Sequence, residues 1–170
     1  MILFLVIYRT ELTKFKIIMR PIYILLLLIT VFLGFNCNGE ALPSKKELLF
    51  HKSHEPKKAD APFSDIVQVG DLYFLSGQVG MDHKTRKLVE GGIEAETRQC
   101  LENIKAVLEK HEMGMDNVVK CTVILADIED FKTFNEIYKT YFPKKPARTT
   151  FAAKGLAVGA KIEIECIASK

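Results

Sequence analysis

The sequence has no Cys-x-x-Cys pair and no cysteine–histidine spacing of the kind that holds zinc. Its four cysteines, Cys37, Cys100, Cys121 and Cys166, are scattered and do not resemble a disulfide scaffold. Cys100, Cys121 and Cys166 each fall within an apolar pattern and read as small buried hydrophobes. A phosphate-cradling glycine loop and a Gly-x-Ser-x-Gly elbow are both missing, and so is any internal repeat. Excess charge is missing as well. Residues 1–37 hold Arg9, Lys14, Lys16 and Arg20 against Glu11, which leaves 20 basic and 20 acidic side chains in the remainder. A neutral remainder argues against a nucleic-acid partner held by phosphate neutralisation. His51 and His54 have helical metal-ligand spacing but lie in a polar stretch without partner carboxylates, so they read as solvated side chains and no metal is expected.

A long membrane-spanning run is also lacking. Residues 22–35 form an apolar run of 14 residues after the basic Arg20, which is the length of a signal-peptide core and short for a spanning helix. Met19 stands just before it as an alternative start, with residues 1–18 an over-extension. Cys37 follows directly, as in a bacterial lipoprotein signal, although Asn36 and Phe35 are larger than the residues usual there. Lipidation at Cys37, secretion with cleavage near Gly39 and an uncleaved anchor remain open, and each places the domain outside the cytoplasm. A misassigned N-terminus would leave it cytoplasmic. The chain thus divides into a signal region (1–37), a lysine-rich polar tether (38–60) with one short element around 46–50, and a folded domain (61–170).

Within the domain, strand-like runs at 65–69 and 72–79 flank the turn signal Gly70-Asp71. A polar loop covers 81–92. Ile93, Thr97, Cys100, Leu101, Ile104, Val107 and Leu108 recur at helical spacing up to Gly114. A β-branched strand at 118–126 precedes a second helix at 128–141, with Asp127 as its N-cap and Pro143 as its stop. Strands at 147–153 and 161–168 complete the order β-β-α-β-α-β-β. The economical arrangement is an α+β sandwich with two helices on one face of the sheet. Apolar residues occur on both sides of several strands, so an oligomer is expected to bury the second face. If the last two strands neighbour one another, Arg148 approaches Glu163. That pair is either structural or a carboxylate clamp beside a base for water.

Taken together, Pro62-Phe63-Ser64, Leu75-Ser76-Gly77-Gln78, residues 92–99 (GIEAETRQ), Leu101-Glu102-Asn103-Ile104, Asn135-Glu136-Ile137-Tyr138, Pro146-Ala147-Arg148 and Ile162-Glu163-Ile164-Glu165 resemble the RidA/YjgF family of imine deaminases. The resemblance spans residues 62–168. It implies a chorismate-mutase-like fold and a homotrimer with a central barrel. It also implies clefts between subunits that hydrolyse 2-imino or enamino acids to 2-keto acids and ammonia, with no cofactor. By the same resemblance Arg148 clamps the substrate carboxylate and Glu163 positions or activates water. Ser76, Gly77 and Asn135 line the cleft. Phe63 stands where the family has tyrosine and Thr150 where it has cysteine. A cleft that binds a small carboxylate without turnover is the alternative, and a ribonuclease or translation inhibitor is a weaker one.

Overall fold

The computed structural model describes residues 46–53, 55–58 and 60–170. The signal region, Met19, Cys37 and His54 lie outside them. Six strands form one sheet: β1 (Leu48–His51), β2 (Ile66–Val69), β3 (Leu72–Val79), β6 (Val118–Leu125), β7 (Ala147–Ala152) and β8 (Ile162–Ser169). They are ordered β1-β2-β3-β8-β6-β7. The polar loop after β3 contains a small ribbon of β4 (Met81–Asp82) and β5 (Lys87–Leu88). Two helices, α1 (Gly92–Glu109) and α2 (Phe131–Tyr141), supply the second layer.

The apolar stripe of α1 faces the sheet: Thr97, Cys100, Leu101, Ile104, Val107 and Leu108 are buried. They meet alternate residues of the central strands, among them Leu75, Val123, Ile162 and Ile164. Helix α2 adds Phe134, Ile137 and Tyr138. Its start is tighter than a single helix over 128–141: a 3-10 turn, Ile128–Asp130, comes first, and the Asp127 carboxylate accepts from Glu129 N at 3.0 Å. Phe134 is fully buried. Phe134→Ala is therefore expected to cost about 3–5 kcal/mol of stability, read as the shift of the denaturant midpoint.

The short element expected around 46–50 within the polar stretch 38–60 is β1, which joins the sheet edge because Leu48 and Phe50 pair with Val69 and Val67 and extend an apolar row. Two expectations need correction. His51 is not solvated: it is half-buried, within 3.1 Å of Gln68 Oε1 and edge-on to His111 at 4.6 Å. The last two strands are not neighbours, since β6 lies between them. The α2 crossover returns the chain parallel to β6, and β7 takes the outer edge, while β8 inserts antiparallel between β3 and β6.

The helices cover one face of the sheet. On the other, register places Phe50, Val67, Phe74 and Ile167 in one row with Leu72 beside it, and Ile124 and Phe151 in a row further along, level with Glu163. Phe50, Leu72, Phe74 and Phe151 are exposed in the single chain.

Candidate active site

A cleft of about 400 Å³ opens where the end of β3 meets the start of β8, in the middle of the sheet. Its floor is made by an irregularity. Between Leu75 and Gln78 the register of β3 on β8 shifts, so Ser76 and Gly77 bulge out of the ladder. Ser76 is pinned there: its Oγ donates to Ser64 O at 2.7 Å and its N–H to Asp65 O at 3.0 Å. Gly77 leaves room for the Glu163 carboxylate, which a Cβ at this position would displace.

Glu163 lies on the open face of β8 and lines the cleft with Phe63, Ser76 and Gly77. Partial burial, then the charge of Glu165, raises its pKa above the usual 4.5. The start of β8 is fixed from α1: Lys161 N–H donates to the buried carboxylate of Glu96 at 2.7 Å. Helix α1 comes close enough for this because position 80 is glycine, where a Cβ would lie 2.6 Å from that of Glu96. Asn103, also buried, ties the helix to the bulged strand, donating to Val79 O at 3.0 Å and Met81 O at 2.9 Å. The opposite wall holds Ala157 and Val158. Val158 has φ 54, a left-handed conformation that a β-branched residue adopts only under strain.

The remaining expected site residues gather elsewhere. Arg148 pairs in register with Cys121, whose side chain is on the helix-covered face, whereas Glu163 pairs with Ile124 on the open face. The two residues lie three positions apart along β6, on its two flanking strands. Their backbones are thus roughly 14 Å apart and their side chains on opposite faces. Arg148 packs on aromatic rings of α2, with its guanidinium carbon 4.6 Å from the Tyr138 ring centroid, 5.3 Å from Phe134 and 5.7 Å from Phe131. Among the described residues no carboxylate pairs with it. Asn135 lies one helical turn after Phe131, on the same side of α2. Thr150 is two residues beyond Arg148 on β7. Within one chain the expected residues thus form two groups. One is Phe63, Ser76, Gly77 and Glu163 in the cleft; the other is Arg148, Thr150 and Asn135 at the β7–α2 edge.

Beneath the helices, Cys121 and Cys166 face each other across β6 and β8 with sulfurs 3.4 Å apart, and Cys100 donates to Gln78 O at 3.0 Å. All three are buried free thiols.

Sequence reasoning missed Lys58, Met81, His83 and Arg86, which also line the cleft. The available signal was the turn in the β4–β5 ribbon. Asp82 Oδ1 accepts from Lys84 N and Thr85 N, both at 2.8 Å, and so shapes a compact turn out of what looked like a solvated loop.

The family model described as Endoribonuclease L-PSP matches residues 53–170. Over 111 residues the chain is 46% identical to the 2-iminobutanoate/2-iminopropanoate deaminase of Mus musculus, covering 65% of this chain and 82% of that protein. It is 42% identical over 126 residues to the chloroplastic Reactive Intermediate Deaminase A of Arabidopsis thaliana, covering 74% of this chain and 66% of that one. The crystal structure of the YjgF gene product of E. coli superposes with a TM-score of 0.66 at 31% identity, over 72% of this chain and 98% of the other.

Proposed function

The chain belongs to the Endoribonuclease L-PSP family, the RidA/YjgF proteins, and from that premise we propose that it is an enzyme that hydrolyses 2-imino and enamino acids to 2-keto acids and ammonia. The observation that carries the reading is the Glu163 carboxylate of raised pKa, seated over the glycine of a strand bulge inside a cleft of small-metabolite size. Relatives named as imine deaminases support it.

In this reading water adds to the C=N carbon. Glu163 accepts a proton from the water as the C–O bond forms and passes it to nitrogen, giving a carbinolamine; it then takes the hydroxyl proton as the C=O bond forms and delivers it to nitrogen as the C–N bond breaks and ammonia leaves. The substrate carboxylate needs a cation, and the cleft of one chain does not contain Arg148. We propose that a second copy supplies it, in a homotrimer whose copies meet on the apolar open face. The exposed Phe74 and Phe151 on that face, and Arg148 at the sheet edge with no carboxylate partner among the described residues, support this arrangement. The planar guanidinium then grips the carboxylate by two parallel hydrogen bonds, held in place by the rings of Tyr138 and Phe134. Asn135 and Thr150 come with it. Phe63 provides an apolar wall and no hydroxyl. The test is direct: 2-iminobutanoate generated in situ by an amino-acid oxidase should release ammonia faster with the protein than without it. Release at the spontaneous rate would reject the enzyme in favour of a carboxylate-binding module.

The apolar run at 22–35 before Cys37 supports a further reading, export with lipidation at Cys37. A fatty-acid analogue should label the wild type and fail to label Cys37→Ser.

A further inference from the structure

The cleft has a cationic mouth that the chemistry above leaves unused. Lys58, His83 and Arg86 all line it. They converge on a single carboxylate, that of Glu55: Lys58 Nζ is 2.7 Å and His83 Nδ1 3.0 Å from Oε1, and Arg86 Nη1 is 3.5 Å from Oε2. Glu55 is buried, whereas the Arg86 side chain remains one-third exposed. The two elements that bring these groups together are locked to each other. Lys57 Nζ donates to Lys84 O at 2.7 Å, which ties the 3-10 turn Pro56–Lys58 to the β4–β5 ribbon.

A structural clamp would need one cation for one carboxylate. Here two permanent cations and a histidine share Glu55, so Lys58 and Arg86 together carry one positive charge more than Glu55 neutralises. The contact from Arg86 is long and single, which leaves other N–H groups of its five-donor fork for another partner. Arg86 also has φ 61, a conformation that glycine would adopt without cost. Arg86 thus occupies a turn position against local backbone preference, and its side chain reaches the cleft.

We infer that Lys58, His83 and Arg86 form a subsite for a second carboxylate, so that the cleft selects imino acids with an acidic side chain over those with a small apolar one. The inference rests on the imine-hydrolase reading above. One surplus positive charge matches one added carboxylate. Arg86 offers it a forked contact and Lys58 a point charge. Glu55 holds both cations in place and is a positioning residue.

The experiment compares 2-iminosuccinate with 2-iminobutanoate, generated in situ from aspartate and 2-aminobutanoate by amino-acid oxidases, on the full-length protein. The readout is the ratio of kcat/KM, acidic over neutral. The wild-type ratio should exceed one and fall about tenfold in Arg86→Gln and in Lys58→Gln, the loss expected for one charge-assisted contact at a partly exposed site. Arg86→Gly, which relaxes the turn, should show the same fall, separating charge from misfolding. A wild type that prefers the neutral imine, or a ratio unchanged in all three variants, overturns the subsite and leaves the hydrolase standing. Hydrolysis of neither imine overturns both.

Discussion

Glu163→Gln is expected to lower turnover of 2-iminobutanoate about a hundred- to ten-thousandfold, the range that positioned acid–base groups contribute. The substitution keeps the size and shape that fit over Gly77 and removes the basic oxygen. Binding of the keto-acid product, followed by calorimetry with 2-oxobutanoate, should change little. The pH profile carries a second signature. Burial and then Glu165 raise the Glu163 pKa, so the acid limb of kcat/KM, which reports the free enzyme, should lie above the ordinary glutamate value, with activity lost as pH falls through it. The same raised pKa fixes the sign of the stability effect. The folded chain holds this proton more tightly than the unfolded one, so the charged form opposes folding once pH exceeds the unfolded value. Glu163→Gln should therefore melt no lower than the wild type at neutral pH while being nearly inactive. A structural glutamate would show the reverse, a loss of stability with little change in rate.

Arg148→Ala is expected to lower kcat/KM more than a hundredfold. Each charge-assisted hydrogen bond to the substrate carboxylate is worth roughly 1.5–3 kcal/mol, and two are lost together, though not additively. The substitution also strips a cation from the faces of Tyr138, Phe134 and Phe131, which should cost about 0.5–2 kcal/mol of stability. Arg148→Lys separates the two effects. It keeps the charge beside the rings and loses the planar fork, so activity should fall well below wild type while stability falls less than in Arg148→Ala. Steady-state kinetics and thermal melts on the three proteins read both quantities. Full activity in Arg148→Ala would remove this arginine from the mechanism.

Much of the fold is legible in the residues because the periodicities are local. The alternation Ile162, Ile164, Cys166, Ala168 and the stripe from Thr97 to Leu108 each report a buried face without knowledge of its partner. Strand pairing is not local. Residues 146–168 read as two neighbouring strands with a glycine-containing loop between them, yet β7 is delivered to the far side of β6 by α2, and nothing in the loop's composition reports that. The pairing matters for the site: Arg148 approaches Glu163 within one chain only if the two strands neighbour one another, and the register puts them on opposite faces. Strand β1 was legible only as a short element around 46–50, because four residues among lysines, glutamate and histidines do not report their partners Val67 and Val69. The cleft residues Phe63, Ser76, Gly77 and Glu163 were readable because they sit in motifs. Lys58, His83 and Arg86 were not, since isolated charges in turns are ordinarily solvated and only the buried Glu55 carboxylate makes them a cluster.

The central claim is that the site is built from two copies, Glu163 from one and Arg148 from the next. Mixing two inactive proteins tests it. Arg148→Ala retains a sound Glu163, and Glu163→Gln retains a sound Arg148. Each is first assayed alone, then both are unfolded together at equal concentration, refolded and assayed on 2-iminobutanoate. In randomly mixed trimers about one site in four receives both intact groups, so about a quarter of wild-type activity should return. Activity that stays at the level of the separate variants, in mixed trimers verified by mass, would contradict the shared site.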